Sequence, residues 1–229
     1  MEYPHNRPYT ADDLVRIITL LRDPVNGCPW DKVQTHTSIR MNFLEEAYEA
    51  VDALDLDDPV LMCEELGDVL MQVAFHTCME QETGRFTWEQ VCDGVCQKLI
   101  ERHPNIFGTQ PGYEGITDWD ALKNKEKGRR TLADDLESVP RAMPALMRAA
   151  KLQKRAARHG AALQGADAAA LADAAENLQT AQPASAQAEQ AVGELLFAAA
   201  NLARQAGVDP EQALQKANEA FCTAAGPAA

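Results

Sequence analysis

Asn42-Phe43-Leu44-Glu45-Glu46-Ala47-Tyr48-Glu49, a break at Asp55-Leu56-Asp57-Asp58-Pro59, and then Glu64-Glu65-Leu66-Gly67-Asp68 form the stretch on which the reading of this chain turns. Both flanks of the break read as helix. Glu46 and Glu49 are three residues apart, so they project from one side of a first helix. Glu65 and Asp68 repeat that spacing on a second. Folded back as an antiparallel pair, the helices would bring these carboxylates to one place. Crowded anions raise one another's pKa. A hard divalent cation with a preference for oxygen ligands, such as Mg²⁺, removes that penalty. The competing reading is a pair of solvated acidic faces, the usual fate of glutamate on a helix.

The apolar pattern bears on the choice. Leu44, Val51 and Leu54, with Ala47 and Tyr48 beside them, mark the expected buried side of the first helix. Leu61, Leu66, Val69, Leu70 and Val73 form the expected stripe of the second. Glu65 and Asp68 adjoin Leu66 and Val69, at the edge of that stripe or within it, whereas a purely solvated face would lie opposite.

A chain of 229 residues, 46% of them hydrophobic, can bury a core and fits one or two domains. A net charge of −14 argues against nonspecific binding to polymeric nucleic acid, while a few local cations could still hold one triphosphate. The start Met1-Glu2-Tyr3-Pro4-His5 lacks a basic end followed by an apolar run, and no apolar stretch is long enough to span a bilayer. The expectation is a cytoplasmic protein without membrane attachment. Cys28, Cys63, Cys78, Cys92, Cys96 and Cys222 make no C-x-x-C pair and read as buried, reduced thiols.

Along the chain, Thr10 with Asp13 signals a capped helix carrying Leu14, Ile17, Ile18 and Leu21 on one side. Asp23-Pro24 stops it, and a loop with Gly27, Cys28, Pro29, Trp30 and Asp31 follows. Trp30 reads first as a residue packing that loop onto the core, and second as a stacking surface for a base. Asp58-Pro59 is a helix start. His76 has no second histidine at ligand spacing and reads as a packed side chain. Thr87 with Gln90 caps a further helix that stops before Pro104, with Val91, Val95 and Leu99 as its stripe. Lys98 and Arg102 share its last face, either complementing the helix C-terminus or holding phosphates. Residues 104–115 could form a lid. A short helix from Trp119 carries Lys123, Lys125 and Lys127. Beyond residue 145 the chain is rich in Ala and Gln, and 164–188 approaches low complexity, with partial disorder expected. Gly193-Glu194-Leu195-Leu196-Phe197 echoes Gly67-Asp68-Val69-Leu70-Met71, a sign of duplication. The second copy has Ala191 where the first has Glu65, so it reads as scaffold.

Taken in order, Gly27-Cys28-Pro29-Trp30-Asp31, Leu44-Glu45-Glu46-x-x-Glu49, Glu65-Leu66-Gly67-Asp68, Lys98-x-x-x-Arg102-His103-Pro104 and Trp119-x-x-x-Lys123 resemble the MazG family. This is an all-α nucleoside triphosphate pyrophosphohydrolase family. The C-terminal half resembles the second unit of tandem MazG proteins through Pro144-Ala145-Leu146-Met147-Arg148, but it departs from the pattern at the metal-binding positions. The resemblance implies a catalytic domain over 1–130, a linker over 131–145 and a degenerate second unit over 146–229. It implies tandem helical units with a four-helix-bundle-type core, assembled as a homodimer. It implies Mg²⁺, with Mn²⁺ as a substitute, on Glu46, Glu49, Glu65 and Asp68, and catalytic roles for Glu45 and Glu46. Asn42, Lys98, Arg102, Trp119, Trp30 and Lys123 would contact the substrate. The implied reaction converts NTPs and dNTPs to monophosphates and pyrophosphate, with nucleotide-pool housecleaning as an associated role.

Two other classes compete. A di-iron carboxylate bundle would place Glu-x-x-His on paired helices, and the two acidic helices carry no such motif. A non-catalytic helical nucleotide-binding or regulatory module would leave the carboxylates without turnover. No G-x-x-x-x-G-K-[ST] is present, so a Walker-type NTPase is excluded.

Overall fold

The computed structural model describes residues 3–5, 7–108 and 119–226, with 119–121 given by backbone alone. It is all-α, with no strand among the described residues. The chain divides into two compact units, residues 1–116 and 117–229.

In the first unit, α1 (Ala11–Leu21) opens with the expected reciprocal cap between Thr10 and Asp13. The chain then doubles back tightly. Cys28 N–H donates to the Leu21 carbonyl at 2.8 Å, and a Cβ on Gly27 would lie 2.4 Å from the Leu21 and Asp23 carbonyl oxygens, so only glycine fits. Arg22 clamps the loop. Its fork meets Glu82 at 2.5 and 2.8 Å, and Nη1 donates to the Asp31 and Gln34 carbonyls. Its guanidinium also lies 5.3 Å from the Phe75 ring centre. A 3-10 turn (Asp31–Val33) then leads to α2 (Arg40–Asp55).

Helices α2 and α3 (Pro59–Glu82) pack against each other across a short turn. Asp57 takes the left-handed region at φ 53°, and Asp58 accepts from Val60 and Leu61 N–H to cap α3, with Pro59 in its first turn. Helix α4 (Trp88–Arg102) starts at the expected Thr87–Gln90 box. Ile18, Ile39, Ala74, Phe75, Cys78, Met79 and Trp88 make the core.

The large apolar residues do not mark the buried side of α2. Ala50 and Ala53 are buried, whereas Tyr48, Val51 and Leu54 are about half exposed, as is Leu66 on α3; Leu70 is also exposed. Small side chains allow the two helices to approach closely, which turns their larger neighbours outward. On α4 the same holds: Trp88 and Cys92 face the core, while Val95 and Leu99 are exposed. Trp30 is 57% exposed, so it does not pack its loop onto the core. Among the cysteines only Cys78 is buried; Cys63, Cys96 and Cys222 are exposed, and all are free thiols.

The second unit holds α5 (Trp119–Glu126), α6 (Leu132–Glu137), α7 (Ala145–Arg158), α8 (Ala168–Thr180), α9 (Ala186–Gln205) and α10 (Pro210–Ala225). Helices α7 and α8 pack on α9 as α1 and α2 pack on α3, and α10 touches α9 as α4 touches α3. Residues 131–145, expected as a linker, carry α6, capped by Thr131 and Asp134 and packed on α7. The Ala-rich segment expected to approach disorder forms α8, capped by Asp167. Its small side chains explain this: Ala174 on α8 and Ala191 and Ala198 on α9 are buried, so the helices bury surface without bulky residues.

Candidate active site

Helices α2 and α3 bring three of the four expected carboxylates together. One carboxylate oxygen from each of Glu46, Glu49 and Glu65 lies within 4.8 Å of the others, close enough to share one cation. Glu46 and Glu65 are half-buried and Glu49 is exposed. Asp68, half-buried on α3, adds its charge to this group. Burial pushes the Glu46 carboxyl up, and Asp68 and Glu49 push it further, against a hydrogen bond from Gln72. Burial also raises Glu65, followed by the fields of Asp68, Glu64 and Glu46. Hard oxygen donors whose own repulsion opposes ionisation fit a divalent cation.

This has a consequence for stability. Glu46 and Glu65 hold their protons to higher pH in the folded chain than in the unfolded one. Their stabilising contribution is therefore complete below the usual glutamate range and is lost as pH rises through the raised folded values. A cation replaces the protons. Millimolar Mn²⁺ near neutral pH should raise the melting temperature of the metal-free protein by several degrees, and the gain should shrink toward about pH 5. A melting temperature that ignores Mn²⁺ at neutral pH would show that these carboxylates do not share an ion.

Gln72 was not singled out by sequence, because it lies inside the apolar stripe of α3. Its position one turn beyond Asp68 is the signal that could have found it. The side chain is 7% exposed, and Nε2 donates to Glu46 Oε1 at 3.3 Å. Its own Oε1 is buried with no partner among the described residues. Gln72 thus aims Glu46 and favours its ionised form. Gln72→Leu should weaken Mn²⁺ binding about three- to tenfold by calorimetry, from one lost hydrogen bond to a charged group. Unchanged affinity would reduce Gln72 to a packing residue.

One turn further along α3, His76 is packed, as expected, and one of its partners is a histidine distant in sequence. His36 Nδ1 lies 2.7 Å from His76 Nδ1, with the rings stacked at 5.0 Å. His36 Nε2 is 2.5 Å from Glu80 Oε1, which also accepts from Arg85 at 2.6 Å. Phe43 meets His76 edge-on. Burial lowers the His76 pKa and His36 lowers it further, against the pull of Glu80. The cluster pins the segment before α2 to α3. The two partners are 40 residues apart, so no local pattern could reveal it.

The remaining expected residues are placed as follows. Asn42 is half-buried and Glu45 exposed on α2. Lys98 is exposed on α4, and Arg102 is half-buried in its last turn. Trp30 stands on the surface of the first unit. Lys123 is exposed on α5 of the second unit. The Trp119 side chain lies outside the described residues, as does most of the loop expected as a lid.

Residues 34–107 match the MazG nucleotide pyrophosphohydrolase domain. The chain is 41% identical to a nucleoside triphosphate pyrophosphohydrolase of Escherichia coli K12 over 219 residues, covering 92% of this chain and 83% of that one. It is 39% identical to the nucleoside triphosphate pyrophosphohydrolase/pyrophosphatase MazG of Thermotoga maritima, covering 92% and 82%. A Mycobacterium tuberculosis nucleoside triphosphate pyrophosphohydrolase is 34% identical, covering 66% of this chain and 46% of its own.

Proposed function

This chain belongs to the MazG nucleotide pyrophosphohydrolase family, and we propose that the acidic cluster of α2 and α3 is where it acts. The protein is a nucleoside triphosphate pyrophosphohydrolase, converting NTPs and dNTPs to monophosphates and pyrophosphate. The observation that supports the site is the approach of Glu46, Glu49 and Glu65 within 4.8 Å, with Asp68 beside them. Divalent metal use follows from the family, and Mg²⁺ is our choice for these all-oxygen donors, with Mn²⁺ able to substitute.

A bound cation would neutralise phosphate charge and lower the pKa of a bound water. The chain's residues do the rest in this reading. Glu46, Glu49, Glu65 and Asp68 are the ligands, and Gln72 aims Glu46. Glu45 orients the attacking water. Lys98 and Arg102 take up charge on the departing pyrophosphate, the fork of Arg102 gripping two oxygens. Asn42 and Trp30 of the first unit contact the nucleotide. The second unit has Ala191 and Glu194 where the first has Glu65 and Asp68, so we assign turnover to the first unit alone. A homodimer is part of the proposal: Tyr48, Val51, Leu54, Leu66 and Leu70 expose apolar surface on α2 and α3. A cytoplasmic setting is also part of it; among the described residues no helix is long and apolar enough to cross a membrane.

The test is pyrophosphate release from a panel of ordinary and damaged NTPs and dNTPs, with Mg²⁺ and with EDTA. Release with Mg²⁺ and none with EDTA supports the reading, and damaged substrates turned over fastest would support housecleaning. No release from any member would leave a non-catalytic binding module. Arg102→Ala should raise KM about tenfold with a smaller effect on kcat, as expected for a lost charge-assisted contact. An unchanged kcat/KM would make Arg102 a helix-end charge only.

A further inference from the structure

The second unit lacks the acidic set but holds a cavity of about 420 Å³ against α7 and α9, and its lining is basic at one edge and apolar elsewhere. Arg141 and Arg148 supply the basic edge. In a chain of net charge −14, neither arginine forms a side-chain ion pair or hydrogen bond among the described residues. Arg148 Nε is buried without a partner among the described residues. A buried donor left unmatched is costly, and an acceptor that Arg148 turned to meet would relieve that cost.

The start of α7 adds to this. Pro144 offers no side-chain cap, and there is no acidic residue in the first turn. The Glu211 carboxylate takes the Met147 N–H at 3.2 Å; the Ala145 and Leu146 amides of the same turn are left over, and both residues line the cavity. Free amides at a helix start favour an anion. The lining also includes Met143, Leu152, Leu196 and Phe197, an apolar surface suited to a flat ring. An anion recognised by two guanidiniums, attached to an aromatic body, in a space of this size, describes a small nucleotide.

We propose that this cavity is a nucleoside monophosphate site, separate from the acidic cluster, with the phosphate at Arg141 and Arg148 and the base on the apolar surface. The choice of nucleotides over other aryl phosphates rests on the function proposed above. The site itself rests on the cavity. The second unit would then sense the product that the first unit releases, without turning anything over.

The test is calorimetry of the full chain with AMP in EDTA, where no pyrophosphate is released, so a failure of binding is distinct from a failure of catalysis. Saturable binding below about millimolar is expected. Adenosine and orthophosphate should each bind at least about tenfold more weakly than AMP, because each offers half of the recognised chemistry. Arg141→Ala or Arg148→Lys should weaken AMP about tenfold or more, through loss of a charge-assisted contact or of the fork. Arg141 is exposed, so its removal leaves packing untouched. No saturable binding, orthophosphate binding as tightly as AMP, or AMP binding indifferent to both substitutions would each overturn the proposal.

Discussion

Glu46→Gln should reduce pyrophosphate release at least about a thousandfold, an increase of roughly 4 kcal/mol in the barrier. Glu46 is the carboxylate on which the cluster converges. It lies within 4.8 Å of Glu49 and Glu65, feels the charge of Asp68, and receives the Gln72 amide. The substitution keeps shape and volume while removing one anionic ligand. A purely structural role would make the variant less stable. The repulsion within the cluster predicts the reverse: without metal, Glu46→Gln should melt at or above the wild-type temperature, because a raised carboxyl pKa reports a charge the fold holds at a cost. The same variant should lose most of the Mn²⁺-dependent gain in melting temperature. Activity near wild type would remove Glu46 from the mechanism.

Asp135→Ala should cost the second unit about 3–5 kcal/mol. Asp135 is 1% exposed, and its Oδ1 lies 3.0 Å from Arg155 Nη1, while Oδ2 lies 3.2 Å from His159 Nε2. Arg155 is itself buried, donates to the Asp135 carbonyl at 2.5 Å and also meets Ser138 Oγ. Removing the carboxylate strands a buried guanidinium, which costs more than the pair contributes when intact. The readout is hydrogen exchange along α7, which reports local opening of the second unit by itself. Asp135→Ala with Arg155→Met should recover much of the loss. Protection of α7 unchanged by Asp135→Ala would mean that the ion pair carries no net stabilisation.

These two sites also divide what the sequence reveals from what it hides. The Thr10, Asp58 and Thr87 starts and the carboxylate spacing on α2 and α3 are local: each depends on residues within one helical turn. They were legible, and so was the acidic cluster once the helices folded back. What escaped depends on contacts between distant residues or on small side chains. Val51 and Leu54 look like core until Ala50 and Ala53 bring α2 onto α3. Trp30 looks like a loop anchor, but Arg22 anchors the loop instead. Gln72 is hidden in an apolar stripe, and His36 finds His76 only in the folded chain. The linker expected over 131–145 leaves out Thr131 and Asp134, which carry a capping signal of the same kind as Thr10 and Asp13. The partial disorder expected of 164–188 rests on its low complexity, which does not register that small residues allow α8 to lie close along α9.

The most direct test follows the products of one NTP by ³¹P NMR, with Mg²⁺, in wild-type protein and Glu46→Gln side by side. Monophosphate and pyrophosphate should appear in equal amounts in the wild type, with neither accumulating in the variant. Diphosphate with orthophosphate, or a variant that matches the wild-type time course, would contradict hydrolysis at the carboxylates of α2 and α3.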